Sequence, residues 1–179
     1  MEKQTLLRPI DVVILLKKMT SQGYSMNGKQ LSESLGISQA EVSVAMERNR
    51  IARLVDDPKS RVNVLALKDF LVHGIRYCFP VRPGCVIRGV ATASSASPIR
   101  DVISTNGDLF VWSDPSGTVR GQSIIPLYGE AVAASKKDPE MYALLVIVDS
   151  LRIGGTRERK AAIEELNKYI NRYVSINQQ

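Results

Sequence analysis

Gly36 sets the strongest constraint on what this chain can fold into, because helix signals stand close on both sides of it. On the N-terminal side, Asn27-Gly-Lys-Gln30 joins an N-cap residue to a glutamine three positions on, and Leu31 and Leu35 follow before the glycine ends the helix. On the other side, Ser38-Gln-Ala-Glu41 is a second capping box. It opens a longer helix to about Leu54 in which Val42, Ala45, Met46 and Ile51 or Ala52 can face inward. Ile37, between the two helices, is placed to plug a core. Two helices joined by so short a turn cross steeply, and the start of the second projects outward.

Around this pair the chain reads as follows. Pro9 suits the first turn of a preceding helix, with an apolar side from Ile10, Val13, Ile14 and Leu16 to Met19, Lys17 and Lys18 near its end, and Gly23 in the turn beyond. Leu54 to Val64 holds two short β-branched pieces around an Asp-Pro-Lys-Ser turn, as a two-stranded element would. Asn63 then caps an amphipathic helix carrying Leu65, Leu67, Phe70 and Leu71, expected to end near Gly74. From Ile75 the texture shifts to short apolar pieces broken by prolines, glycines and the Ser-rich stretch from Thr92 to Pro98, which puts a domain boundary near residue 80. Phe110-Val-Trp and Ser123-Ile-Ile flank an Asp114-Pro-Ser-Gly117 turn, the pattern of a hairpin. Two helices close the chain: one capped by Asp138 and ended by Gly154-Gly155, the other starting at Thr156 with Ala162, Leu166, Tyr169, Ile170 and Tyr173 in one stripe.

The run LSESLGISQAEVSVAMERNRIARLV resembles the helix-turn-helix of winged bacterial regulators of the broad MarR and GntR kind: an apolar-rich helix, Leu-Gly-Ile-Ser, then Val-Ser a few residues on. The resemblance covers about residues 9–75, less than half of the chain. It implies that the helix starting at Ser38 enters a major groove of double-stranded DNA. Carried over position by position, it makes Ser38, Gln39, Ala40 and Ser43 groove contacts, with Glu47 and Arg48 further along. Gln39 can bond an adenine edge in bidentate fashion, the serines can bond bases or phosphates, and Ala40 can meet a thymine methyl. Lys59 and Arg61 in the implied wing, with Lys29, Arg48 and Arg50, suit phosphates. Asp56, Asp57 and Glu47 stand among these cations and weaken such a surface.

Charge agrees in sign: 24 basic side chains against 18 acidic give a net +6, and residues 1–80 hold twelve of the bases and eight of the acids. Catalysis finds little footing. His73 is the sole histidine and has no cluster of ligands around it; Gly84-Cys-Val-Ile-Arg-Gly89 has the outer spacing of a phosphate loop but continues Val90-Ala91 where Lys and Ser or Thr are needed. Cys78 and Cys85 are too far apart for a CxxC pair and read as reduced structural thiols. Tyr142 to Val148, the most apolar stretch of the second half, is too short to span a bilayer, and the N-terminus lacks a leader pattern, so a cytoplasmic location is expected.

The expected protein is therefore α+β: a winged helix-turn-helix over residues 1–80 and a domain of short strands and two helices over 81–179. The expected role is that of a transcriptional regulator, not an enzyme, requiring no cofactor or metal. It would act as a homodimer on a near-palindromic site, with the Leu166, Tyr169, Ile170 and Tyr173 stripe as a dimerising element or as packing within its own domain. The alternative is an antitoxin-like or adaptor protein whose second half binds a protein partner and whose winged helix autoregulates or makes protein contacts. Tyr77, Phe79, Trp112, Tyr128 and Tyr142 are candidates to line a small-molecule effector pocket or to form an ordinary aromatic core, and Gly154 to Lys160 for a secondary anion patch.

Overall fold

The computed structural model describes residues 5–56, 60–104, 107 and 109–177. Over these the chain is α+β, mostly helical with two small sheets. It opens with α1 (Pro9–Lys18), whose first position holds the proline that has no N–H to leave unbonded. The expected apolar side understates this helix, because every residue from Ile10 to Thr20 is buried. A helix buried on all sides lies at the centre of a core, so its charges need partners. Lys17 Nζ donates to Asp138 at 2.6 Å, and Asp11 accepts two hydrogen bonds from Arg48. Burial holds the Lys18 ammonium below its usual pKa.

Next come α2 (Gly28–Leu35) and α3 (Gln39–Ile51). The first capping box is complete: Gln30 N–H donates to Asn27 Oδ1 at 3.0 Å and Asn27 N–H to Gln30 Oε1 at 2.9 Å. Gly36, at φ +69°, makes the left-handed turn between the helices. At α3 the hydroxyl half of the second box forms, with Glu41 N–H donating to Ser38 Oγ at 3.1 Å. Strands β1 (Val55–Asp56) and β2 (Arg61–Val62) pair antiparallel, Val55 opposite Val62 and Asp56 opposite Arg61. Asn63 caps α4 (Val64–Asp69) as expected, but the helix does not stop near Gly74: a π turn, Phe70–Gly74, carries it into α5 (Ile75–Cys78). Leu71 and Ile75 continue the buried side across the glycine, and this packing outweighs the local stop signal.

The second half contains β3 (Val86–Ala91), a 3-10 turn (Ala93–Ser95), α6 (Ile99–Val102), β4 (Phe110–Ser113), β5 (Val119–Ser123), α7 (Gly129–Ser135), α8 (Pro139–Ile153) and α9 (Thr156–Asn177). The turn at Asp114–Gly117 forms, but the hairpin expected around it does not. β4 and β5 run parallel, Phe110 opposite Gln122, and each pairs antiparallel with β3, so the three close on themselves. Closure this tight requires backbone against backbone. A Cβ on Gly89 would lie 1.9 Å from Trp112 O, and one on Gly121 would lie 2.3 Å from Leu109 O. α8 begins and ends where the sequence places it, and α9 begins at Thr156 as expected.

One hydrophobic core runs through both halves, from α1 and α3 to α8 and α9. Polar contacts cross the same divide: Ser21 N–H and Oγ donate to Glu140 at 2.5 and 2.8 Å, and Val62 N–H donates to Tyr173 Oη at 3.0 Å. The stripe on α9 belongs to this core. Leu166, Ile170 and Tyr173 are buried within the chain and Tyr169 is half-buried, so of the two roles expected for the stripe the packing one fits and the dimerising one does not. At the centre of the second half Asp149 accepts from Thr92 Oγ1, Trp112 Nε1 and Arg152 at 2.7–2.8 Å. Burial pushes its carboxyl pKa up, while these three donors pull against it. Arg152 also donates to the carbonyls of Phe79 and Ile125, tying the end of α5 to the end of β5.

Candidate nucleic-acid interface

The outward surface of α3 is set by what its other side must hold. Val42, Ala45, Arg48 and Asn49 are buried against α1, and Asn49 Nδ2 donates to Asp11 O at 3.0 Å. At 100° per residue, the positions opposite them run Gln39, Arg50, Ser43, Glu47, Ala40, Ile51 and Val44 across the outward arc. Gln39, Ala40 and Ser43 are exposed, as expected of groove contacts, and they lie in the first turns of the helix next to the Gly36 corner. Ser38 is exposed as well, but its oxygen is occupied as the N-cap, which leaves its O–H as the group with outward chemistry.

The cations sort into three groups. Arg48 is not available to a phosphate: it is buried, and its Nε and Nη2 bind the Asp11 carboxylate at 2.7 and 2.5 Å, hydrogen bonds that raise the guanidinium pKa further. Arg50 lies on the outward arc and is ion-paired with Glu47, so the acid that threatened the surface is neutralised within it. Lys29 and Arg61 are exposed; Lys29 stands 4.0 Å from Glu33, and Arg61 faces Asp56 across β1 and β2. Lys59 lies outside the described residues.

Sequence reasoning missed the apolar edge of the same arc. Val44 and Ile51 are 54% and 58% exposed, and with Leu6, Leu7 and Arg8 they line a groove of about 640 Å³. The spacing from Val44 to Ile51 is two helical turns, a signal obscured by leaving the inward position open between Ile51 and Ala52, of which Ala52 is the half-buried one. The burial of Arg48 was legible in principle, three residues after Ala45 on the inward face.

The remaining candidates are dispersed. Trp112 is buried edge-on to Tyr142, Phe79 packs edge-on to Phe70, and Tyr77 is 74% exposed, so the aromatics do not gather around a shared effector pocket. Cys78 and Cys85 are free thiols, but both are exposed, which removes the structural role expected of them. His73 is exposed, and among the described residues no group of three metal-ligating side chains occurs. No helix among them is long and apolar enough to cross a membrane. In the Gly154–Lys160 segment, Arg159 donates to Val72 O at 2.9 Å, while Arg157 and Lys160 are exposed. No family model, curated protein or solved structure matches the chain.

Proposed function

We propose that the chain is a sequence-specific DNA-binding transcriptional regulator, built on a winged helix-turn-helix, that reads a major groove with α3. The observation that carries this reading is the exposure of Gln39, Ala40 and Ser43 together on the first turns of a helix whose opposite face is locked to α1 by Arg48 and Asn49. A reading helix needs both properties: small and amide side chains that reach base edges, and a backbone that holds them in register. Lys29, Arg50 and Arg61 supply phosphate contacts of modest strength, since each stands near an acid. Two copies on a near-palindromic site fit this modest affinity per copy, with a dimer surface other than the buried stripe of α9. The test compares the wild type with Gln39→Ala/Ser43→Ala on duplex DNA from upstream of its own gene and on a scrambled duplex. Loss of the preference in the double variant supports the reading, and a wild type that binds both duplexes alike overturns it.

A second reading, an antitoxin-like or adaptor protein that uses this module for protein contacts, is favoured by the apolar groove at Leu6, Val44 and Ile51. Leu6→Glu/Val44→Glu distinguishes the two, because it should abolish capture of such a partner while altering the ratio between the two duplexes little.

A further inference from the structure

On the paired strands of the second half, Arg88 and Arg120 stand directly opposite each other, so their side chains leave the same face of the sheet. Both are exposed, and neither enters an ion pair among the described residues. Like charges so placed destabilise an antiparallel pair, and this sheet is small, with strands of four to six residues. The chain around them offers no relief: residues 70–100 contain Arg76, Arg82, Arg88 and Arg100 and not one Asp or Glu. Arg82 is exposed just before β3, where the pairing extends beyond the strand through Gly84 N–H donating to Ser123 O at 2.9 Å. At the end of α5, which Arg152 fastens beside the end of β5, the Arg76 guanidinium lies 5.8 Å from the exposed ring of Tyr77. Asp114, the acid in the connection between β4 and β5, is already engaged by Lys136.

We propose that this face, centred on Arg88 and Arg120 with Arg82, is a second contact surface for the phosphate backbone of duplex DNA, in the half of the chain that α3 does not use. The inference rests on duplex DNA being the ligand of α3, and charge complementarity selects the occupant. Two arginines at directly opposite strand positions, with no ion pair to either among the described residues, suit a row of phosphates, and a bound phosphate removes the repulsion that the free protein carries. Contacts of this kind add affinity and salt dependence without adding sequence preference.

The test measures binding of the full chain to its upstream duplex and to the scrambled duplex by fluorescence anisotropy, between about 50 and 200 mM salt. Arg88→Gln/Arg120→Gln should flatten the slope of log K against log salt by about two, at roughly 0.9 per phosphate contact, and leave the ratio between the duplexes unchanged. Arg88→Lys/Arg120→Lys should keep most of the slope, because a phosphate accepts a lysine as a point charge. The melting temperature of the glutamine variant should equal or exceed that of the wild type. A wild-type slope in the glutamine variant overturns the proposal, and so does a slope lost equally in the lysine variant, which would make the effect one of packing. If the slope falls but Gln39→Ala/Ser43→Ala leaves the duplex preference intact, the α3 reading fails and the arginine surface stands.

Discussion

The contact that most firmly orients α3 is the buried pair of Arg48 and Asp11, in which a forked guanidinium meets a carboxylate that Arg8 N–H also binds at 2.8 Å. Removing one member strands the other in a dry interior. Arg48→Met should therefore cost about 3–5 kcal/mol in urea unfolding, whereas a mutation on the outward arc such as Ser43→Ala should stay within about 0.5 kcal/mol. Asp114 gives a test in pH. Its carboxyl, held by Lys136 and by the hydroxyl and N–H of Ser116, is lowered to a pKa of about 2. A carboxylate depressed in the folded state favours folding above its unfolded value near 4, and that contribution fades as pH falls from about 4 to 2. A carbon-detected NMR titration should place the Asp114 midpoint near the depressed value, and Lys136→Ala should move it back upward. At this scale the sequence was informative wherever side chains act locally, as in the caps at Asn27, Ser38, Asn63 and Asp138. It was misleading where a partner is distant: Arg48 finds Asp11 thirty-seven residues away, and Lys17 finds Asp138 at a separation of 121 residues. No local pattern announces such pairs.

Among the elements, the helices were legible because amphipathic period, caps and stops agree with one another. The closed sheet was not, because strand pairing depends on β3, which carries no turn signal joining it to β4. A turn at Asp114–Gly117 fixes the local chain direction, yet Gly89 lets β3 close against β4 at Trp112, Gly121 lets β5 close against Leu109 just before β4, and β4 and β5 run parallel. Gly121→Ala should destabilise the protein by about 2–3 kcal/mol, since the new methyl meets a backbone carbonyl that cannot swing aside. The calorimetric midpoint checks this, and an unchanged midpoint would show that the sheet is looser than its register implies. The link between Tyr173 and the β1–β2 pair acts over a longer range. Tyr173→Phe leaves Val62 N–H without its acceptor and should cost about 1–3 kcal/mol, with faster amide exchange at Val62 than in the wild type.

For the molecule as a whole, the continuity of the core matters more than the change of texture near residue 80. α1 is enclosed by both halves, and Lys17, Ser21 and Val62 each bond residues beyond 137. The halves should therefore unfold together, in one transition by near-ultraviolet and far-ultraviolet dichroism alike. α3 and the arginine pair of β3 and β5 lie on different elements of this one core, and the proposed function gives sequence preference to the first and salt-dependent affinity to the second. The central claim is that α3 reads base edges, and the most direct measurement is fluorescence anisotropy of the full chain on its upstream duplex and a scrambled one, with and without Gln39→Ala/Ser43→Ala. The expected result is a preference for the upstream duplex that disappears in the double variant while binding to the scrambled duplex stays the same. Equal binding of both duplexes by the wild type, or a preference that survives the double substitution, would contradict it.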